Sequence, residues 1–442
     1  MATTNLEDTV ASKAGPTGTY SLESLGDVPI TLEEARQVVS AMPIEQVDPA
    51  NPKLFYHDVI GPYFERLRRE DPVHYVESPL YGPYWSITKF NDIMEIDTNH
   101  RQFSSDANLG GISIYSDRNI PLPMFIAMDP PKHDVQRKAV SPMFAPTNIK
   151  LLAPLIRERA AGILDGLPVG VEFDWVDKVS MELTAMTLAT LFDFPQEQRR
   201  KLTRWSDVAT SVPGLGVVNT PEQWVEEMTD CFSTFQKLWN ERARGTPGGD
   251  LISMLAHGSE TREMPPYEFQ GNLVLLIVGG NDTTRNTITG SLLALNRNPL
   301  QYEKLRAHPE LIPSMVNETI RWQTPLAYMR RTALEDVEFR GKTIRKGDKV
   351  VMWYISGNRD DEVIENAESF LIDRERPKQH ISFGVGIHRC VGNRLAELQL
   401  QIIWEEILKR FPKIEVLAEP ERIYSTFVRG YRSMPVRIPA RH

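Results

Sequence analysis

Residues 383–392 read Phe-Gly-Val-Gly-Ile-His-Arg-Cys-Val-Gly, and the chemistry they suggest centres on the sulfur of Cys390. Gly384 and Gly386 permit a tight turn and a close backbone approach to a flat ligand. Beyond the cysteine, Leu395, Ala396, Leu398, Gln399, Ile402 and Ile403 follow helical spacing, so Cys390 arrives just ahead of a helix. Free amides and the positive end of that helix stabilise a sulfur anion, which suits the presentation of a thiolate. A lone cysteine in a glycine-rich turn is more often a packed thiol, and only the surrounding pattern separates the two readings. The other cysteine, Cys231 in a helical stretch, has no such surroundings and reads as packing.

Two further segments carry candidate chemistry. Glu318 and Arg321 lie three apart, so on a helix they share one face, where carboxylate and guanidinium can bond each other or a third group. In isolation such a pair is worth only about 0.2–0.5 kcal/mol. Gly279-Gly280 interrupts an apolar run, Leu275 to Val278, and Asn281-Asp282-Thr283-Thr284 follows. Each mid-helix glycine costs roughly 1 kcal/mol relative to alanine, so the pair calls for a close approach by another helix or by a ligand.

Together these segments resemble the cytochrome P-450 superfamily. F-G-x-G-x-H-x-C-x-G matches its haem-binding loop, the Glu318–Arg321 pair stands about seventy residues earlier, as in that superfamily, and Arg374 fits its third basic residue. The resemblance implies haem b (iron protoporphyrin IX) with Cys390 as the sulfur ligand of the iron. Phe383, Gly384, His388 and Gly392 would hold the cofactor from the loop. Gly279 and Gly280 would form the dioxygen groove, with a local distortion of the helix, and Asp282 with Thr283 the acid–alcohol pair that delivers protons. His133 and Arg137, four apart on a probable helix, would join Arg331 and His388 at the two propionates. Glu318, Arg321 and Arg374 would be a structural triad buttressing the loop.

The likeness covers roughly residues 51–438 and is strongest toward bacterial alkane and fatty-acid terminal hydroxylases, notably in Gly82-Pro83-Tyr84-Trp85-Ser86-Ile87-Thr88, residues 276–286 and Ile320-Arg321-Trp322-Gln323-Thr324-Pro325-Leu326. Terminal hydroxylation of a medium-chain alkane or fatty acid is therefore expected, using dioxygen. Electrons would come from a separate ferredoxin and ferredoxin reductase, with NAD(P)H as ultimate donor. Leu276, Val278, Leu326, Met329 and Phe427, with the loop from Ile112 to Phe125, are the expected walls of an apolar substrate site. A terpene, steroid or aromatic substrate is the competing enzymatic reading. A haem-thiolate binding protein or sensor is a third, disfavoured because a sensor has no use for Asp282-Thr283.

The elements that must position these residues follow from patterning. The chain has 442 residues, 50 basic and 59 acidic, for a formal charge of −9, which argues against general affinity for nucleic acid or anionic membrane. Two cysteines and no basic, apolar start point to a reducing compartment, the cytoplasm, and to no membrane span. Residues 1–45 are expected to form a partly mobile extension, with a capping box (Thr31, Glu34) opening a first helix, and residues 46–442 a single domain. A short helix is predicted over Pro62–Arg69, and strands at Val73–Val76 and Tyr84–Thr88. An irregular loop should span Asn108–Pro123. Helices should dominate from Asn148 to Leu305, including a long one from Pro266 to Asn296. Strands should return at Val337–Phe339 and Lys349–Trp353, joined through Gly341 and Gly347, and near Ile414–Val416 and Val436–Ile438. The fold class is thus mostly α with small β-sheets, with the haem buried between the glycine-bearing helix and the helix after the cysteine.

Overall fold

The computed structural model describes residues 21–115 and 122–442. The helices that position the site are α1 (Leu32–Ala41), α2 (Gly61–Glu70), α3 (Phe90–Thr98), α4 (Lys132–Val140), α5 (Pro146–Asp165), α6 (Met181–Phe192), α7 (Arg199–Thr210), α8 (Pro221–Arg244), α9 (Pro266–Arg297), α10 (Ile312–Gln323) and α11 (Asn393–Arg410). Five strands, β1 (Val73–Ser78), β2 (Gly82–Ile87), β3 (Phe103–Ser104), β4 (Met329–Ala333) and β5 (Lys349–Met352), form a mixed sheet in the order β1-β2-β5-β4-β3. Smaller sheets lie elsewhere, so the architecture is mostly helical, as expected. Among the described residues no helix is long and apolar enough to cross a membrane.

Local rules explain most boundaries. Thr31 Oγ1 accepts the Glu34 amide at 3.2 Å while the Glu34 carboxylate accepts the Thr31 amide at 3.3 Å, the reciprocal capping box expected at the start of α1. Residues 21–45 do not form the mobile extension expected of them. Leu25, Ala35 and Val39 are buried, and Asn51 Nδ2 donates to Leu25 O at 2.9 Å, so apolar burial docks this stretch. Residues 1–20 lie outside the described residues, as do 116–121 of the expected loop.

Pairing departs from expectation in one respect. Val337–Phe339 and Lys349–Met352 do not pair; the first forms a hairpin with Lys342–Ile344 around Gly341, whose φ of 73° suits glycine. The second joins β2 in parallel and β4 in antiparallel fashion. Strand β4, rich in arginine and threonine, was not anticipated. The chain-end strands fall where expected, Glu415–Val416 and Pro435–Arg437 pairing with each other and the latter with Glu172–Asp174.

Helix α9 spans 32 residues, begins with proline in its first turn and ends just before Asn298-Pro299. It buries side chains nearly all round, because α6, α7, α10 and α11 pack against it. It is helical without interruption through Gly279 and Gly280.

Helix α10 carries the ionic triad. Arg321 Nε and Nη2 each donate to the Glu318 carboxylate at 2.8 Å, Arg374 Nε donates to it at 2.8 Å, and the Leu371 amide at 2.8 Å. Arg321 also donates to Asn358 O and Ala367 O at 2.7 Å. The Asn358 side chain then bonds Ser382 Oγ at 2.8 Å and the Ile381 amide at 2.9 Å, directly before Phe383. Removing one partner leaves the other charges buried and uncompensated. Glu318→Ala should therefore cost about 3–5 kcal/mol, read as a lower denaturant midpoint, whereas an unchanged midpoint would show the triad to be dispensable.

Candidate active site

The cysteine loop is closed by the Cys390 amide donating to Phe383 O at 2.8 Å. Gly384 and Gly386 adopt φ of 65° and 67°. The space beside them is taken by the end of α3: a Cβ on Gly386 would stand 2.8 Å from Asp97 O, and one on Gly384 3.4 Å from Asp97 Oδ2. The Asp97 carboxylate accepts the Val385 amide at 2.9 Å, the Tyr354 hydroxyl at 2.8 Å and Arg331 Nη2 at 2.6 Å. Asp97 thus shapes the loop, and sequence reasoning missed it because no motif marks it.

Depth within the fold pushes the Cys390 thiol up, while the amides of Gly392 and Asn393 and the charges of Arg137 and Arg389 pull it down. Its surface is nevertheless open although protein rings it, so it faces interior space. Cys231 is sealed in the core, where burial raises its thiol far above the usual range. The two cysteines therefore behave as expected of a candidate ligand and a packed side chain.

On α9, Leu275, Gly279 and Thr283 recur every fourth residue and are the less buried face, with nothing within 4 Å of a Cβ placed on Gly279. Thr283 Oγ1 donates to Gly279 O at 3.0 Å. Gly280 does different work from that expected, since its Cβ would meet Leu188 of α6 at 2.8 Å; it permits helix packing. Asp282 is also placed differently. Its carboxylate points at α7, accepting Ser206 Oγ at 2.9 Å, Thr210 Oγ1 at 3.3 Å, Asn281 Nδ2 at 3.0 Å and Arg285 Nη2 at 3.1 Å. Burial raises its pKa to about 6, against the pull of Arg285.

The residues expected to face the propionates converge. The rings of His133 and His388 meet edge-on at 4.5 Å, and Arg331, His133 and Arg137 all act electrostatically on His388, which burial holds down at about 2. Both ring nitrogens of His388 and Nε2 of His133 are buried without a partner among the described residues. A neutral imidazole has one N–H to give, and an orphaned buried donor of that kind asks for an acceptor. Arg137 donates to Arg389 O, joining α4 to the cysteine loop. Arg331 is less available than expected, being committed to Asp97. Neutral imidazoles, an arginine and an open thiol fit a planar dianionic group with an iron at its centre.

The expected substrate walls are only partly brought together. Leu326 bridges Val428, and Ala327 N donates to Phe427 O at 2.9 Å, so Leu326 and Phe427 are neighbours. Met329 belongs to the core against which both of them pack, whereas Leu276 packs into another core, and Leu275 shares the face of Gly279 more closely than Leu276 does. Arg330 is a further residue missed in the sequence. Buried and without a carboxylate among the described residues, it donates to Leu109 O, Gly110 O and Ser113 O at 3.0–3.3 Å and pins the loop beside the site. Gly110, with φ of 105°, makes room for that guanidinium.

The geometry makes the sulfur assignment checkable. Cys390→Ala should abolish the thiolate-type spectrum of the reduced, carbon-monoxide-bound protein, and Cys231→Ala should leave it intact; an imidazole-type spectrum in the unaltered protein would refute Cys390 as ligand.

Comparison with known proteins agrees with this geometry. The cytochrome P450 family model matches residues 303–430. Linalool 8-monooxygenase of Pseudomonas putida is 35% identical over 404 residues, covering 89% of this chain and 99% of that protein. Steroid C26-monooxygenase of Mycolicibacterium smegmatis is 33% identical, covering 84% and 88%. Among solved structures, cytochrome P450-153 from Novosphingobium aromaticivorans superposes with a TM-score of 0.82 at 44% identity, covering 88% of this chain and 99% of that one. CYP153D17 from Sphingomonas sp. PAMC 26605 does so with 0.83 at 46% identity, covering 90% and 100%. With this identity to P450 enzymes over most of its length, the chain belongs to the cytochrome P450 family and is a haem-thiolate monooxygenase.

Proposed function

We propose that this enzyme hydroxylates the terminal carbon of a medium-chain alkane or fatty acid with electrons delivered by a ferredoxin. The observation that carries this reading is the identity of 44% and 46%, over about nine-tenths of the chain, to two P450s of the 153 group. That likeness fits the resemblance to terminal alkane and fatty-acid hydroxylases. The curated relatives point the same way, since carbon 8 of linalool and carbon 26 of a steroid are both chain-end methyl groups. They also support the second reading, a terpenoid or steroid hydroxylase.

Haem b, held by Cys390, His133, His388 and Arg137, supplies dioxygen activation when bound. One oxygen atom enters a C–H bond and the other leaves as water, consuming two electrons and two protons. The chain's own residues orient the substrate and handle those protons. Thr283 offers a hydroxyl on the open face of α9, and Asp282 behind it stores a proton near neutral pH. Leu275, Val278, Leu326 and Phe427 exclude water with apolar walls. With two unpaired cysteines, a reducing cytoplasmic setting fits.

A chain-end C–H bond is harder to break than an internal one, so selectivity for the end must be steric. Tenfold preference needs only about 1.4 kcal/mol between competing transition states. Each added methylene should tighten binding by up to about 0.8 kcal/mol until the channel is full. Titrating the haem spectrum with n-alkanes and fatty acids should show a chain-length optimum, with 1-alcohols or ω-hydroxy acids as main products. Mainly internal alcohols, or faster turnover of ring substrates than of any linear chain, would favour the second reading.

Arg389, Arg394 and Lys138 are exposed beside the cysteine loop or on α4 near Arg137. An acidic ferredoxin docking there would be steered electrostatically. The second-order reduction rate should fall as salt rises; a salt-independent rate would point to an apolar dock.

A further inference from the structure

Helix α7 does not merely pack against α9; it supplies the surroundings of Asp282. Ser206 and Thr210 donate to the carboxylate, and between them in sequence Asp207 accepts Arg285 Nη2 at 2.6 Å. The same Nη2 reaches Asp282 Oδ1 at 3.1 Å, so a single guanidinium nitrogen is shared by two carboxylates. Its sharper bond goes to Asp207, which is 28% exposed, whereas Asp282 is 1% exposed. Arg285 itself is buried, and its Nε has no partner among the described residues. A buried arginine so incompletely satisfied is costly to keep for packing alone. The other contacts of Asp282 are neutral: Asn281, Ser206 and Thr210, with Thr184 of α6 holding the Asn281 amide oxygen at 3.0 Å. Arg204, the next basic residue on α7, is taken up by Glu227.

We infer that Arg285 and Asp207 are positioning residues for the oxygen chemistry: Arg285, divided between a half-buried carboxylate on α7 and the buried Asp282, fixes the direction and proton affinity of Asp282 behind Thr283. This rests on the reading of Asp282 as the proton-handling acid. Arg285 and Asp207 act in opposite senses. The arginine favours the ionised form of Asp282, and Asp207 disfavours it, both directly and by drawing Arg285 away. Because α7 carries Asp207, Ser206 and Thr210 together, the acid of α9 is set by the position of a neighbouring helix.

Opposite signs make the inference testable with variants that need not damage the fold. In the holoenzyme, the carboxylic C=O band of Asp282, isolated as an infrared difference against Asp282→Asn, should titrate near pH 6. Arg285→Gln should move that inflection upward by at least about one pH unit, a tenfold change in proton affinity. Arg285→Lys should largely restore it, and Asp207→Asn should move it downward. The pH at which product formed per NAD(P)H consumed is half-maximal should move in the same directions, while the carbon-monoxide spectrum stays thiolate-type. If Asp282→Asn leaves coupling untouched, the proton-handling reading fails and the inference with it. If Asp282→Asn uncouples but Arg285→Gln and Asp207→Asn leave the inflection in place, or shift it in one common direction, the inference alone is overturned.

Discussion

Keeping a sulfur anion inside a protein is unfavourable unless fixed positive potential surrounds it, and much of the local structure answers that requirement around Cys390. The amides of Gly392 and Asn393 open α11, and Arg137 and Arg389 supply charge from two sides. These groups act only if the loop holds its course. Its two left-handed glycines wrap the end of α3, where Asp97 bonds the loop and Arg331 at once. On the approach to the loop, the ionic triad reaches Ile381 and Ser382 through Asn358. A thiol placed without these supports would have burial acting on it unopposed, as Cys231 does.

The molecule buries several carboxylates, and the way each is satisfied separates structure from chemistry. Glu318 takes four donors, three of them from arginines, and every one of them ties it to the framework that leads to the cysteine loop. Asp282 takes neutral hydroxyls, an amide and part of one arginine, so burial prevails and lifts it toward neutrality. Both sit beside an arginine three residues on. The difference lies in whether that arginine is committed or divided, and Arg285 is divided by Asp207.

That distinction also marks how far the sequence could be read. Features fixed by neighbours in the chain were legible: the capping box at Thr31, the span of α9, and the cysteine loop with its helix. The triad was legible because two members lie one helical turn apart and the third falls at a familiar distance. Partners brought by folding alone were not. Asp97 lies 288 residues from Val385, and nothing around it announces a role. The direction of Asp282 depends on Ser206, 76 residues away, and Gly280 looks identical to Gly279 until Leu188 is placed against it. Val337–Phe339 and Lys349–Met352 read correctly as strands, but pairing is a tertiary property: the unanticipated, arginine-bearing β4 pairs with the second, and Lys342–Ile344 with the first.

The chain-end selectivity proposed above would place its own demand on this scaffold. The energy to be discriminated is small, so walls that shift by a fraction of an ångström would lose it. The pairing of Ala327 N with Phe427 O and of Arg429 N with Pro325 O fixes one wall through backbone bonds at 2.9 Å. Bonded to the same segment, the loop after β3 has little regular structure, and Arg330 supplies the rigidity instead, trading solvation of its charge for carbonyls of Leu109, Gly110 and Ser113. Burial holds that guanidinium down at about 10, still charged at neutral pH, so the carbonyls remain strongly bound. A cation with no counter-charge among the described residues is an expensive fastener. Its expense is intelligible if the loop it fastens must keep one shape against a flexible hydrocarbon chain that offers no polar group near the carbon to be selected.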